Sequence, residues 1–136
     1  MLRRVLRYAL MLSLRHRWFW IAASVVLVAT VVIGSLQTVF VAGVVHGFDK
    51  VEHFATYMFL AVWFTGLYRP PRYWAIAAGL LALGLSMEVG QFVMQAGRIA
   101  DPYDMAANTG GIAAGVVLAW FATGGWAEKL ETWLQS

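Results

Sequence analysis

Cysteine is absent from the chain, which removes disulfide frameworks, thiolate nucleophiles and cysteine-ligated metals from consideration. Charge is scarce as well. Asp, Glu, Lys and Arg together make up 12% of the 136 residues, too little to solvate a small globule. No basic stretch carries interleaved aromatics suited to stacking on bases, and the +3 net charge comes largely from arginines flanking apolar runs. A nucleic-acid partner is therefore not expected, and the charge reads as a topology signal. Internal repeats and low-complexity segments are also missing. What the chain does have is apolar surface, with 61% hydrophobic residues and a mean hydropathy of +0.69. Its length fits a single domain, and its composition belongs to the integral membrane class.

Four apolar runs approach the roughly 20 residues that a spanning helix needs. They cover Trp18 to Gln37, about Val51 to Tyr68 (ended by "RPPR"), about Tyr73 to Gln95, and about Pro102 to Gly124. Their β-branched residues do not argue for strands, because a lone strand in lipid cannot satisfy its own backbone. The expected fold is an all-α integral membrane protein, a four-transmembrane-helix bundle with interfacial amphipathic segments at both ends. Residues 1–17 form a basic cytoplasmic or interfacial segment, 18–124 the membrane domain, and 125–136 an amphipathic tail. The first run exceeds a signal-peptide h-region and "TVFVAGVV" is a poor cleavage site, so a retained helix is expected. Arg3, Arg4, Arg7, Arg15 and Arg17 precede it, and Arg69 and Arg72 follow the second run. The positive-inside rule then puts both termini in the cytoplasm of a bacterial inner membrane, with the 38–48 and 96–101 loops outside.

With this topology the polar residues gather at the outer ends of three helices. Asp49, His53 and Tyr57 are four apart and share a face, and Lys50 aligns with Tyr57. Glu88, Gln91 and Gln95 form a polar stripe on the third helix. Glu88 lies roughly 13 Å below the outer surface, and Tyr57 roughly 12 Å below Asp49, at 1.5 Å per residue. Asp101 before Pro102 has the pattern of an N-cap with proline at N1. Asp104, Asn108, Gly111 and Gly115 follow nearly in line, the glycines as a packing seam. An ionisable group at bilayer depth is costly, so these charges are expected to face one another across the bundle. Glu88 is expected to meet Lys50, His53 or Arg98, or to be protonated. Trp18, Trp20, Trp63 and Trp120 sit near helix ends or pack inside, and need no cofactor.

Two segments, "DKVEHFATYMFL" and "EVGQFVMQAGRIADPYDMAANTGGIAAG", resemble the VanZ-like family of small membrane proteins. The shared pattern is D-K-x-x-H-F-x-x-Y, then E-x-x-Q, R-x-x-D-x-x-D and A-N-x-x-G-x-x-x-G, spanning Asp49 to Gly115. Gly90 departs from it, where members often carry a second glutamine. The resemblance implies a small multi-helix membrane fold and a motif set. The member that gives the family its name is associated with teicoplanin resistance, but the resemblance supplies no reaction.

Two functions compete. In the first, an outward-facing pocket binds a polar or anionic headgroup, such as a lipid-linked envelope intermediate. Lys50 and Arg98 meet a phosphate, and Asp49, Tyr57, Gln91 and Asn108 complete the ligand contacts. In the second, an intramembrane enzyme uses His53 as general acid/base with Glu88 and Asp104 as carboxylates. A metal on His53, Glu88 and Asp104 is weakly indicated, since one histidine with scattered carboxylates is a poor ligand set. No metal and no cofactor are expected. Partners are expected to be a membrane lipid or lipid-linked molecule, with self-association or other membrane proteins left open. A conduit is disfavoured because polar residues fade in the inner halves of the helices.

Overall fold

The computed structural model describes residues 12–36, 48–94 and 101–136. Among them no strand occurs and five α-helices do, labelled here in chain order: α1 Arg17–Leu36, α2 Phe48–Leu67, α3 Tyr73–Val93, α4 Pro102–Leu118 and α5 Trp126–Trp133. The first four are the four apolar runs. Their ends fall within a few residues of the expected bounds, except that α2 begins at Phe48, so its charged residues are inside the first turns of the helix. A 3-10 turn at Pro70–Arg72 joins α2 to α3.

By length and apolarity, α1, the stretch Pro70–Val93 and the stretch Pro102–Thr123 can each cross a membrane. With 20 residues α2 has the same length as α1, and Asp49 in its first turn marks the charge that lowers its apolarity. Several hydroxyls inside these helices satisfy themselves locally. Ser24 donates to the Trp20 carbonyl, Thr65 to Ala61, Ser86 to Ala82 and Thr109 to Met105, each at 2.7–2.8 Å. This back-bonding spares a polar side chain the cost of facing a lipid-like environment unpaired.

The closest packing is between α2 and α4. A methyl group added at Gly111 would run into the Phe54 carbonyl oxygen, and one at Gly115 would lie 2.6 Å from the Ala61 side chain and 2.7 Å from the Met58 carbonyl. The two glycines are therefore what lets the backbones touch. Tyr57, Leu60, Ala61, Leu80 and Ile112 form the core beside this seam. Helix α1 is peripheral, and Trp20 is its buried residue.

The C-terminal tail departs from a purely interfacial segment. Residues Ala119–Thr123 make a π-helical turn, and Gly125 adopts a left-handed conformation (φ 68°) that turns α5 back onto the bundle. Ala127 and Glu131 are buried there. The Trp126 indole N–H donates to the Val62 carbonyl at 3.0 Å, in space that only a glycine at position 66 leaves open. Glu131 accepts from the Arg15 and His16 backbone N–H groups (2.7 and 3.0 Å) and from the Trp20 indole (2.9 Å). One carboxylate thus caps the start of α1 and ties it to α5. Leu12 and Leu14 pack under the same aromatic cluster, and residues 1–11 lie outside the described part of the chain.

Candidate functional site

Helix α4 opens as its sequence dictates. The Asp101 side chain accepts from the Tyr103 backbone N–H at 2.9 Å, and Pro102 occupies the first helical position. Asp104 and Asn108, one turn apart, then point toward α2, which presents Asp49, Lys50 and His53 from its first turns. Close approach along the Gly111–Gly115 seam brings the two polar ends together.

Lys50 is the centre of the cluster. Its ammonium donates to Asp101 at 2.6 Å, to Asp49 at 3.4 Å, and to Asp104. Asp101 is thus a cap and also an ion-pair partner. The second role was not read from the sequence, because the two residues are 51 positions apart. The Lys50 ammonium beside it and the Tyr103 N–H hold the Asp101 carboxyl below the usual range.

His53 occupies the next layer. Its Nδ1 lies 3.0 Å from the Asn108 side-chain oxygen. An amide oxygen only accepts, so Nδ1 carries the proton in this pairing. Nε2 then faces the gap between Asp49 and Asp104, at 3.8 and 3.7 Å. These distances exceed a hydrogen bond. One donor atom each from Asp49, His53 and Asp104 lie within 4.8 Å of one another, a set that could hold a metal ion. The acid in that set is Asp49 rather than the expected Glu88, and the Lys50 ammonium already sits on two of its members.

Below this layer, Asn108 is 1% exposed and Tyr57 3%. A methyl group at Gly84 would lie 3.1 Å from the Asn108 amide nitrogen and 3.3 Å from the Tyr57 hydroxyl, which places the two side chains side by side against α3. Glu88, one turn on from Gly84, is buried. It faces into the bundle and not outward. Gln91 is buried too, but its amide donates to the Ser35 carbonyl at 2.6 Å. Its amide nitrogen thus holds the end of α1 and is not directed at the cluster. Arg98 and Gln95, both expected near the site, lie outside the described residues.

Burial is graded from rim to floor. The side chains of Asp49, Lys50 and Asp101 are 34–37% exposed, His53 15% and Asp104 8%. Such a cluster can present charge at its exposed edge, hydrogen bonds in its middle, and a histidine nitrogen for proton transfer.

Comparison with curated proteins and with solved structures returns no match. A model of the VanZ/LLP1 family matches residues 11–123, which include every residue of the cluster and all four long helices. The chain belongs to the VanZ/LLP1 family of membrane proteins.

Proposed function

We propose that the cluster between α2 and α4 is the binding site for the polar headgroup of a lipid or lipid-linked molecule, presented at the outer face of a bacterial inner membrane. The observation that carries this reading is the graded burial of polar groups where apolar helices meet. Helices of this composition place their ends at headgroup depth, and a bound lipid keeps its tails against exposed side chains such as Phe54 and Val51.

Lys50 supplies the cation for an anionic headgroup. Its ammonium is shared among carboxylates, so a phosphate enters by exchange for a partner at the exposed edge of the cluster, Asp101, while buried Asp104 stays in place. His53 and Asn108 then fix orientation through hydrogen bonds. Lys50→Ala is expected to release bound lipid, and His53→Gln to retain most of it, because an amide still hydrogen-bonds. Each variant is purified, checked for a monodisperse profile in detergent, and assayed separately for bound lipid and for lipid conversion. Folding is checked first because removing one partner of a buried pair can cost about 3–5 kcal/mol.

A second reading is favoured by one specific observation. With Nδ1 on Asn108 and Nε2 directed at two carboxylates, His53 has the fixed orientation of a general acid/base. Under that reading His53→Gln binds lipid but abolishes its conversion, and this result would replace the first reading.

A further inference from the structure

All seven tryptophans belong to one end of the bundle. Trp18 and Trp20 open α1, Trp63 lies near the close of α2, Trp74 opens α3, Trp120 follows α4, and Trp126 and Trp133 belong to α5. Trp20, Trp63 and Trp126 turn inward and pack on one another, with ring centroids 5.3–6.0 Å apart. The other four point outward and are 60–73% exposed. Phe19, Phe121 and Leu134 are exposed beside them.

The same end carries the basic residues Arg15, Arg17, Arg69, Arg72 and Lys129. Among the described residues its acids are Glu128 and Glu131, and the Glu131 carboxylate is spent inside on the start of α1. Among the described residues the opposite end has the reverse balance, with Asp49, Glu52, Asp101 and Asp104 around Lys50. Docking fixes which face of α5 is free. Because Ala127 and Glu131 turn inward, Leu130, Trp133 and Leu134 turn out.

We propose that this tryptophan-rich end is a docking surface for a membrane leaflet rich in anionic phospholipid, with α5 lying on it as an anchor held by Glu131. Indole rings settle at the headgroup level, where a ring face and a polar N–H are both accommodated. Cations interleaved with them meet phosphodiester groups. The Arg17 guanidinium, 5.0 Å from the Trp18 ring centroid, is one such pair. An uncharged leaflet would use the indoles but offer no counter-charge to Arg17, Arg69 and Lys129. Charge complementarity therefore selects the anionic one.

The absence of cysteine makes the test direct. The full chain, spin-labelled at Leu134→Cys or Glu128→Cys, is reconstituted into vesicles of phosphatidylcholine alone or with about one third phosphatidylglycerol. Accessibility to oxygen and to a neutral nickel chelate then reports depth. The Leu134 label is expected to lie deeper and to lose chelate accessibility when phosphatidylglycerol is present, and the Glu128 label to change less. Equal accessibility at the two positions in both vesicles would overturn the proposal. As a second measurement, native mass spectrometry from mixed phosphatidylglycerol and phosphatidylcholine micelles reads lipid preference. Arg69→Gln and Lys129→Gln are each expected to lower the phosphatidylglycerol preference about fivefold, the ratio that one cation near an anionic surface represents. Equal retention of both lipids by the unsubstituted chain would overturn the proposal. So would a dimer that buries the Leu134 label without lipid, since a second copy would then cover this face.

Discussion

At the scale of single residues, two carboxylates hold the molecule together at opposite ends, and only one was legible in the sequence. Asp101 announces itself, since an aspartate before a proline at a helix start is a local signal. Its bond to Lys50 is a tertiary fact with no local signature. Glu131 was missed altogether. The available signal was an acid on the apolar stripe of a short amphipathic tail, four residues from Ala127, which a reading based on Trp126, Leu130, Trp133 and Leu134 passed over. Burial pushes the Glu131 carboxyl up, but hydrogen bonds from Trp20, His16 and Arg15 outweigh it and leave it below the ordinary glutamate range. A depressed acid stabilises the fold above its unfolded-state pKa and loses that contribution as pH falls through the folded value. The α5 latch is therefore expected to hold at neutral pH and to weaken in acid below the ordinary glutamate range. Glu131→Ala should mimic acid at pH 7, at a cost on the order of 1–3 kcal/mol for the buried donors left unpaired. Thermal unfolding in detergent across pH checks both. If the acid-induced loss is the same in Glu131→Ala as in the unsubstituted chain, the latch is not its origin.

At the scale of elements, the apolar runs made the four long helices legible, because in a lipid-like environment hydropathy and backbone satisfaction point to one structure. Their contacts were legible in part. Gly111 and Gly115 lie where α2 and α4 approach closely, and Asp104 with Asn108 occupy the polar end of the same face. Helical spacing could not say that Gln91 turns its amide toward α1, since a stripe some 100° wide can face two neighbours at once. Gly111→Ala would drive a methyl group into the Phe54 carbonyl of α2. It is expected to cost about 1–3 kcal/mol as overpacking and to move His53 away from Asn108. A lowered melting temperature together with weaker lipid retention is the expected pair of results. A thermally unchanged Gly111→Ala would mean that the seam does not set the helix spacing.

At the scale of the whole molecule, the tryptophans and most of the described basic residues collect at one end, and four of the described acids surround Lys50 at the other. This polarity links the two surfaces. If the tryptophan-rich end lies in one leaflet as proposed, the end with Lys50 and His53 is presented to the opposite one. Reporter fusions after Gly47, Arg72, Gly97 and Ser136 are expected to read outside, inside, outside, inside. A cytoplasmic signal after Gly97 would put the α2–α4 cluster on the wrong side for an outer-leaflet headgroup.

The central claim, that this cluster takes an anionic headgroup by exchange for Asp101 at Lys50, is tested most directly by Asp101→Asn. Asparagine keeps the side-chain oxygen that caps α4 through the Tyr103 N–H, so the helix start survives. What is lost is the negative charge that competes for the ammonium. Native mass spectrometry of the purified chain, with phospholipid adducts quantified against unsubstituted protein, reads the result. Retention of anionic phospholipid is expected to rise in Asp101→Asn and to fall in Lys50→Ala. A fall in Asp101→Asn with the fold intact would contradict the account, because it would mean that the carboxylates themselves hold the ligand.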